Sequence, residues 1–563
     1  MFRLHILNPH LLLVVSILWN ASIFAAPNGS DRQKRTIEIT HSILINQHIQ
    51  DGWTDLDLVP SAQATDFEFC RRVFLDVVGR IPTVSELFEF RADRSPDKKK
   101  NLVSRLLYDE RYRAEYARHW STVWLNILIG RESGNDRNRM VSREGLRAYL
   151  NDAFAKNLPY DRFVFELLSA TGENLPSAEN FNGAVNYLAG KLGDKAAQAT
   201  AHSSRVFLGV QVQCTQCHDH PFNEWKQSQY WQMNSFFRQT VALRRFEGGN
   251  RVRMVELADQ DFGGEDRPRQ TDEARIYYEL RNGKLEAAIP VFLDGTKINP
   301  SGYLGESNRR LQLARLITNS DYLGKAIVNR MWAQFFGYGF TKPIDDMGPH
   351  NIPSHPDLLD YLGTEFQKHS YDLKSLISWI VLSEPYSLSS RMNSENEGDD
   401  PQLGVKPSFS HFYIRQMTAE QLYESLITCT QADKTRGKAE KQIEAREKWL
   451  RQFTIAFGTD EGDDTTTFNG TIPQTLMMFN GDLMKKATSG DSGSFVYKVA
   501  HDNKLKYQKK VARLYFSALA RSPSKQERRV AISLLKARAG NMTEALQDLW
   551  WALLNSNEFI INH

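Results

Sequence analysis

Cysteine is scarce in this chain, with four in 563 residues. So few thiols exclude a disulfide-dense scaffold, the device by which small secreted domains replace a large core. Charge of one sign is lacking too: 70 Lys and Arg stand against 67 Asp and Glu, for a formal net charge of +3. With a sequence pI near 8.4, the chain carries no electrostatic footprint for nucleic acid. Beyond the first residues no apolar run is long enough to cross a bilayer. A Ser-His-Asp order, a phosphate-cradling glycine loop and a His-Glu-x-x-His pair are all missing, so no common hydrolase signature applies. No internal repeat is evident.

What is present begins with a short basic start at Arg3, an apolar stretch from Leu11 to Trp19, and small residues at Ala25 and Ala26 before Pro27. This pattern predicts a signal peptide over 1–25 and export to the periplasm or cell surface. A chain of this length exceeds what one core normally organises, so two or more domains are expected.

Helix signals dominate the remainder. Thr83 to Glu86 forms a capping box, and Ser95-Pro96-Asp97 opens a helix carrying Leu102, Val103, Leu106 and Leu107. Tyr116, Trp120 and Trp124 recur one turn apart, as a core stripe does. Small and apolar residues from Lys195 onward predict a helix running to Cys214. From 241 to 307 the helical period fades, and Gly248-Gly249, Gly263-Gly264 and Ile289 to Gly295 suggest short strands and loops. Helices resume at Arg309, and Asp321 is placed to cap a helix that Gly337 ends. The expected fold is mainly α, with two helical domains, 35–240 and 308–563, joined by a loop-rich connector with a small β element. Asn393 to Asp400 reads as an exposed acidic loop, and the charged run Ala432 to Arg451 as a solvated helix.

The stretch most informative about chemistry is Cys214-Thr215-Gln216-Cys217-His218. Cys-x-x-Cys-His is the spacing by which two thiols add to the vinyl groups of a porphyrin while the adjacent imidazole reaches its iron. On a helical turn the three side chains share a face. Three ligands compete for this segment: a c-type haem on Cys214, Cys217 and His218; zinc or copper held by these residues with His220; or a plain Cys214–Cys217 disulfide. Cys70 and Cys429 either pair with each other or stay buried as small apolar residues. Met233 and His202 are read as core and hydrogen-bonded residues rather than ligands.

The segments Phe69 to Asp76, Gly79 to Thr83 and Phe207 to Phe222 resemble the planctomycete-type secreted cytochrome-like domain. Ile327 to Trp332, Pro343 to Asp346, Pro353 to Pro356, Thr418 to Leu422 and Leu553 to Phe559 resemble its usual partner. The pair are domain-of-unknown-function families 1549 and 1553. The resemblance covers nearly all of the chain after residue 25 and implies export and a two-part, mainly helical architecture. It supplies no reaction.

A second candidate cluster is the proline-broken loop carrying Asp345, Asp346, His350 and His355, with Arg330 on the preceding helix placed to pair with either aspartate. These residues suit a cation or acid–base site, and equally suit turns and caps. An exposed macrocycle needs a wall on its second face, so the loop is expected to pack near His218. Two functions are thus in view: an exported haem protein in electron transfer or small-oxidant chemistry with a redox partner protein, or an exported metal- or disulfide-stabilised binding scaffold. Catalytic residues and oligomeric state are not legible.

Overall fold

Twenty consecutive residues from Glu110 to Ile129 form one of the long helices of the fold, and Tyr116, Trp120 and Trp124 are each about 1% exposed along it. Burying an aromatic or large aliphatic side chain to this degree stabilises by about 1.5–3 kcal/mol. The stripe is therefore core. The computed structural model describes residues 29–131, 140–249, 252–434, 439–458 and 471–563. The signal-peptide expectation over 1–25 lies outside the described residues, as does the part of the charged run at 435–438.

The chain is mainly α. Its first half contains α1 (Gly29–Asp55), α2 (Asp66–Val78), α3 (Val84–Ala92), α4 (Lys98–Tyr108), α5 (Glu110–Ile129), α6 (Arg143–Ala155), α7 (Tyr160–Ser169), α8 (Asn186–Ala189), α9 (Gly193–Ser203) and α10 (Gln227–Asn234). Thr83 and Glu86 form the expected capping box at the start of α3. Strands follow: β1 (Gly172–Glu173), β2 (Thr240–Phe246), β3 (Val252–Asp259), β4 (Ile276–Glu279) and β5 (Leu285–Ala288). β2 and β3 form an antiparallel pair with Leu243 opposite Glu256, β1 adds to the far edge of β3, and β4 pairs with β5.

The second half contains α11 (Arg309–Thr318), α12 (Asp321–Phe336), α13 (Pro356–Lys368), α14 (Leu373–Val381), α15 (Ala419–Thr430) and α16 (Ala439–Phe457), with further helices from Ile472 to Ile560. β6 (Arg415–Gln416) pairs with the C-terminal β7 (Ile561–Asn562). Gly337, at φ 85°, ends α12 as expected. Its N-cap position, however, belongs to Ser320, with Asp321 inside the first turn.

Side chains of both halves share one hydrophobic core, which runs from Ile45 on α1 through Trp120 and Trp124 to Trp332, Trp379 and Phe412. A second core joins Leu75 and Ile81 to α15, α16 and the C-terminal helices. The strand region is tied in by two buried groups. Gln239 Nε2 donates to the carbonyls of Gly302 and Ser307 at 2.9 Å, while its Oε1 accepts the Arg309 amide at 2.9 Å. Arg310 donates to Asp259 at 2.7 Å and to the carbonyls of Leu168 and Ala170.

Two sequence expectations are corrected here. The stretch Asn393 to Asp400 is not simply exposed: Asn396 and Asp399 are buried, and Asp399 accepts from the Ser408 and Ser410 amides and from the Ser410 and Tyr413 hydroxyls. A carboxylate with so many donors anchors its loop, an outcome that local acidity does not reveal. Nor does the helix from Lys195 reach Cys214. Asp194, Lys195 and Ala196 have positive φ, the helix proper ends as a wide π-turn over Ser204–Leu208, and Gly209 at φ 64° reverses the chain.

Candidate functional site

The Cys-x-x-Cys-His segment starts five residues beyond that glycine, on a 3-10 turn over Gln213–Gln216. Its three side chains therefore do not share an α-helical face. Thr215, the only fully buried member, fastens the turn by donating its hydroxyl to the Val212 carbonyl at 2.6 Å. From below, Trp231 Nε1 and Gln227 Nε2 donate to the Gln216 carbonyl at 3.1 and 3.3 Å. The Gln227 amide donates to Asp219 at 2.9 Å, which holds that carboxyl below the usual carboxylate range. Anchored in this way, the turn presents Cys214 and Cys217 to solvent, and both thiols are free.

His218 is half-buried, and its Nδ1 lies 2.6 Å from the Asp219 carbonyl oxygen. A ring nitrogen facing a carbonyl must carry the proton, so Nε2 keeps its lone pair for a ligand. The reverse holds at His220. Its Nδ1 accepts the amides of Phe222 and Asn223, each at 3.2 Å, so the neutral ring carries its proton on Nε2. Phe222 itself is 84% exposed, with its ring 6.3 Å from that of His220.

The loop from the second half contacts the chain on either side of this segment. The Met347 amide donates to the Gly209 carbonyl at 2.7 Å. Asp345, which is buried, accepts from Gln211 Nε2 at 2.8 Å and pairs with Arg205 at 3.4 Å. Arg330 donates to the Val206 carbonyl at 2.7 Å, thereby bracing the π-turn from α12. His350 Nε2 sits 3.1 Å from Asp346, and the His350 ring centroid is 6.3 Å from that of His220. Thus Asp345, Asp346 and His350 join the Cys-x-x-Cys-His neighbourhood.

His355 does not join that group by any such contact. It occupies the N-cap position of α13 without a side-chain capping bond, its Nδ1 is 3.0 Å from Ser354 Oγ and its ring 5.6 Å from Phe409, and burial pushes its pKa down to about 4. Met233 is 1% exposed and part of the core, while His202 is hydrogen-bonded to Tyr187, as the sequence suggests. Cys70 and Cys429 are buried free thiols rather than partners, and burial raises the pKa of both.

Arg205, Gly209 and Gln211 escaped sequence reasoning. Each acts through a partner more than a hundred residues away, so no local spacing announces it.

A mainly helical protein with an exposed Cys-x-x-Cys-His turn, fastened to a loop from its other half, is the class that fold and site define. The chain matches PSCyt2, described as a protein of unknown function (DUF1549), over residues 44–242, and PSD1, likewise of unknown function (DUF1553), over residues 309–453. It belongs to the proteins that carry these two domains in that order. No curated protein and no solved structure matches it.

Proposed function

We propose that this is an exported protein that binds a c-type haem covalently through Cys214 and Cys217, with His218 as the iron ligand, and serves electron transfer or small-oxidant chemistry. The observation that carries the reading is the donor set itself: two exposed free thiols three residues apart, and an adjacent imidazole whose Nδ1 is committed to a carbonyl. Haem would supply a one-electron iron couple at this surface. The chain's own residues do the rest. Thr215 and Trp231 hold the turn that spaces the thiols, and the Asp219 carbonyl fixes the tautomer of His218. Phe222 offers apolar surface beside the segment, of the kind a porphyrin face covers. The Asp345–His350 loop reaches this neighbourhood at His350, whose ring centroid is 6.3 Å from that of His220 and whose Nε2 is 3.1 Å from Asp346.

Zinc or copper is the second reading. The His220 tautomer weighs against it, because the lone pair on Nδ1 is taken by two amides and Nε2 bears a proton. A scaffold use of Cys214, Cys217 and His218 alone remains the alternative class of function. Production with haem-attachment machinery separates the two. Cys214→Ala or Cys217→Ala abolishes retention of covalent haem, while Cys70→Ala retains it; equal retention in all three variants overturns the assignment.

A further inference from the structure

Far along the chain from the Cys-x-x-Cys-His turn, α1 packs against α13 and α14 and brings together three side chains able to ligate a metal. His41, Glu365 and His369 each offer one donor atom, and these atoms lie within 4.8 Å of one another. Among the described residues this is the group of three so arranged. Glu365 lies in the last turn of α13 and His369 at its C-cap, one turn on, a spacing that brings two side chains to the same side. His41 arrives from α1, with Nε2 4.0 Å from Glu365 Oε2. His369 Nδ1 lies 2.8 Å from the Glu365 carbonyl oxygen and carries its proton there, which leaves Nε2 as its ligating atom.

We propose that His41, Glu365 and His369 form a divalent-metal site of the zinc type, clasping α1 to α13. Two imidazoles and one carboxylate are a donor set that zinc accepts, with a fourth position left for water. Zinc bonds of about 2.0–2.2 Å require tetrahedral donors about 3.3 Å apart, so a group whose donor atoms lie within 4.8 Å of one another closes by up to about 1.5 Å at an edge. Glu365 and His369 have that freedom, being 17% and 25% exposed at the side chain. His41 does not move as easily, and it is already aimed.

Tyr361 Oη lies 2.7 Å from His41 Nδ1, and Trp379 packs 4.3 Å from the His41 ring, which together fix the ring's plane and leave Nε2 toward Glu365. Lys368 Nζ now sits 2.7 Å from Glu365 Oε1. Its side chain is 63% exposed, so it can leave for solvent when a divalent ion takes the carboxylate.

The test uses the full untagged chain as a Cys214→Ser/Cys217→Ser variant, so that those thiols cannot take the metal. Zinc alone is the probe. Elemental analysis after gel filtration is expected to find one zinc per chain, and saturating zinc to raise Tm by about 2–4 °C. Placing His369→Ala or Glu365→Gln in that background weakens zinc binding by more than about tenfold and removes the Tm rise. Cobalt(II) in place of zinc gives visible ligand-field bands that His369→Ala loses. Both side chains are only partly buried, and an unchanged far-UV spectrum checks the fold. Failure of the double-cysteine variant to take up zinc, or equal uptake in the His369 and Glu365 variants, overturns the proposal. Neither result bears on haem.

Discussion

His119 lies on α5, 7% exposed, and burial pushes its imidazole down to about 3; His355 and His563 are held at about 4 for the same reason. An unfolded histidine titrates near 6.5. Below that pH the unfolded chain takes up protons that these folded rings refuse, so the stability they lend at neutral pH is lost as pH falls toward their folded values. At pH 5 each such ring removes about 2 kcal/mol relative to pH 7.5. Denaturant melts at the two pH values should show this fall, with a shallower one for His119→Gln. A midpoint that does not move between pH 7.5 and 5 contradicts the burial argument. Single residues of this kind are poorly legible in sequence, because what decides their titration is how many neighbours arrive from other helices.

At the scale of elements, the reversal at Gly209 decides where the Cys-x-x-Cys-His turn faces. Its φ of 64° belongs to the left-handed region, and a Cβ there would run into Met347 Cε from the second-half loop. Gly209→Ala is expected to destabilise the protein by about 1–2 kcal/mol, read as a lower denaturation midpoint. A neutral substitution would show that the loop and the turn are not held together as described.

The helices themselves were largely legible. The Thr83 capping box and the glycine end of α12 are local patterns, and local patterns are what a sequence exposes. The end of the helix before Cys214 was not. Ala197, Ala201 and Val206 keep helical spacing right up to a π-turn, and the signal that stops it, Gly209 docked on Met347, depends on a distant loop. For the same reason the Asp399 anchor read as an exposed acidic stretch. The approach of Asp345, Asp346 and His350 to the segments flanking the Cys-x-x-Cys-His turn was legible, but not the separate place taken by His355.

Across the whole molecule, the two halves meet around a buried carboxylate. Asp76 on α2 accepts from Tyr386 Oη at 2.7 Å, from Asn562 Nδ2 at 2.8 Å and from Arg415, while Arg72 stacks on Phe412, 3.6 Å from the ring centroid. Burial raises the Asp76 pKa, and the Arg415 guanidinium beside it opposes that shift. Asp76→Ala leaves Arg415 buried without its counter-charge and should cost about 3–5 kcal/mol, visible as a large drop in Tm. That network joins α2, the strand β6 and the C-terminal β7, which is why sequence position says little about which parts of this chain pack together.

The same joining of distant segments frames the central claim, that the Cys-x-x-Cys-His turn carries a covalent haem beside a loop from the other half. The direct measurement is the visible spectrum of the protein, made with haem-attachment machinery, after denaturation and removal of free porphyrin. A Soret band that stays with the unfolded chain is the predicted result. A chain that emerges colourless, with Cys214 and Cys217 still open to thiol reagents, would contradict it.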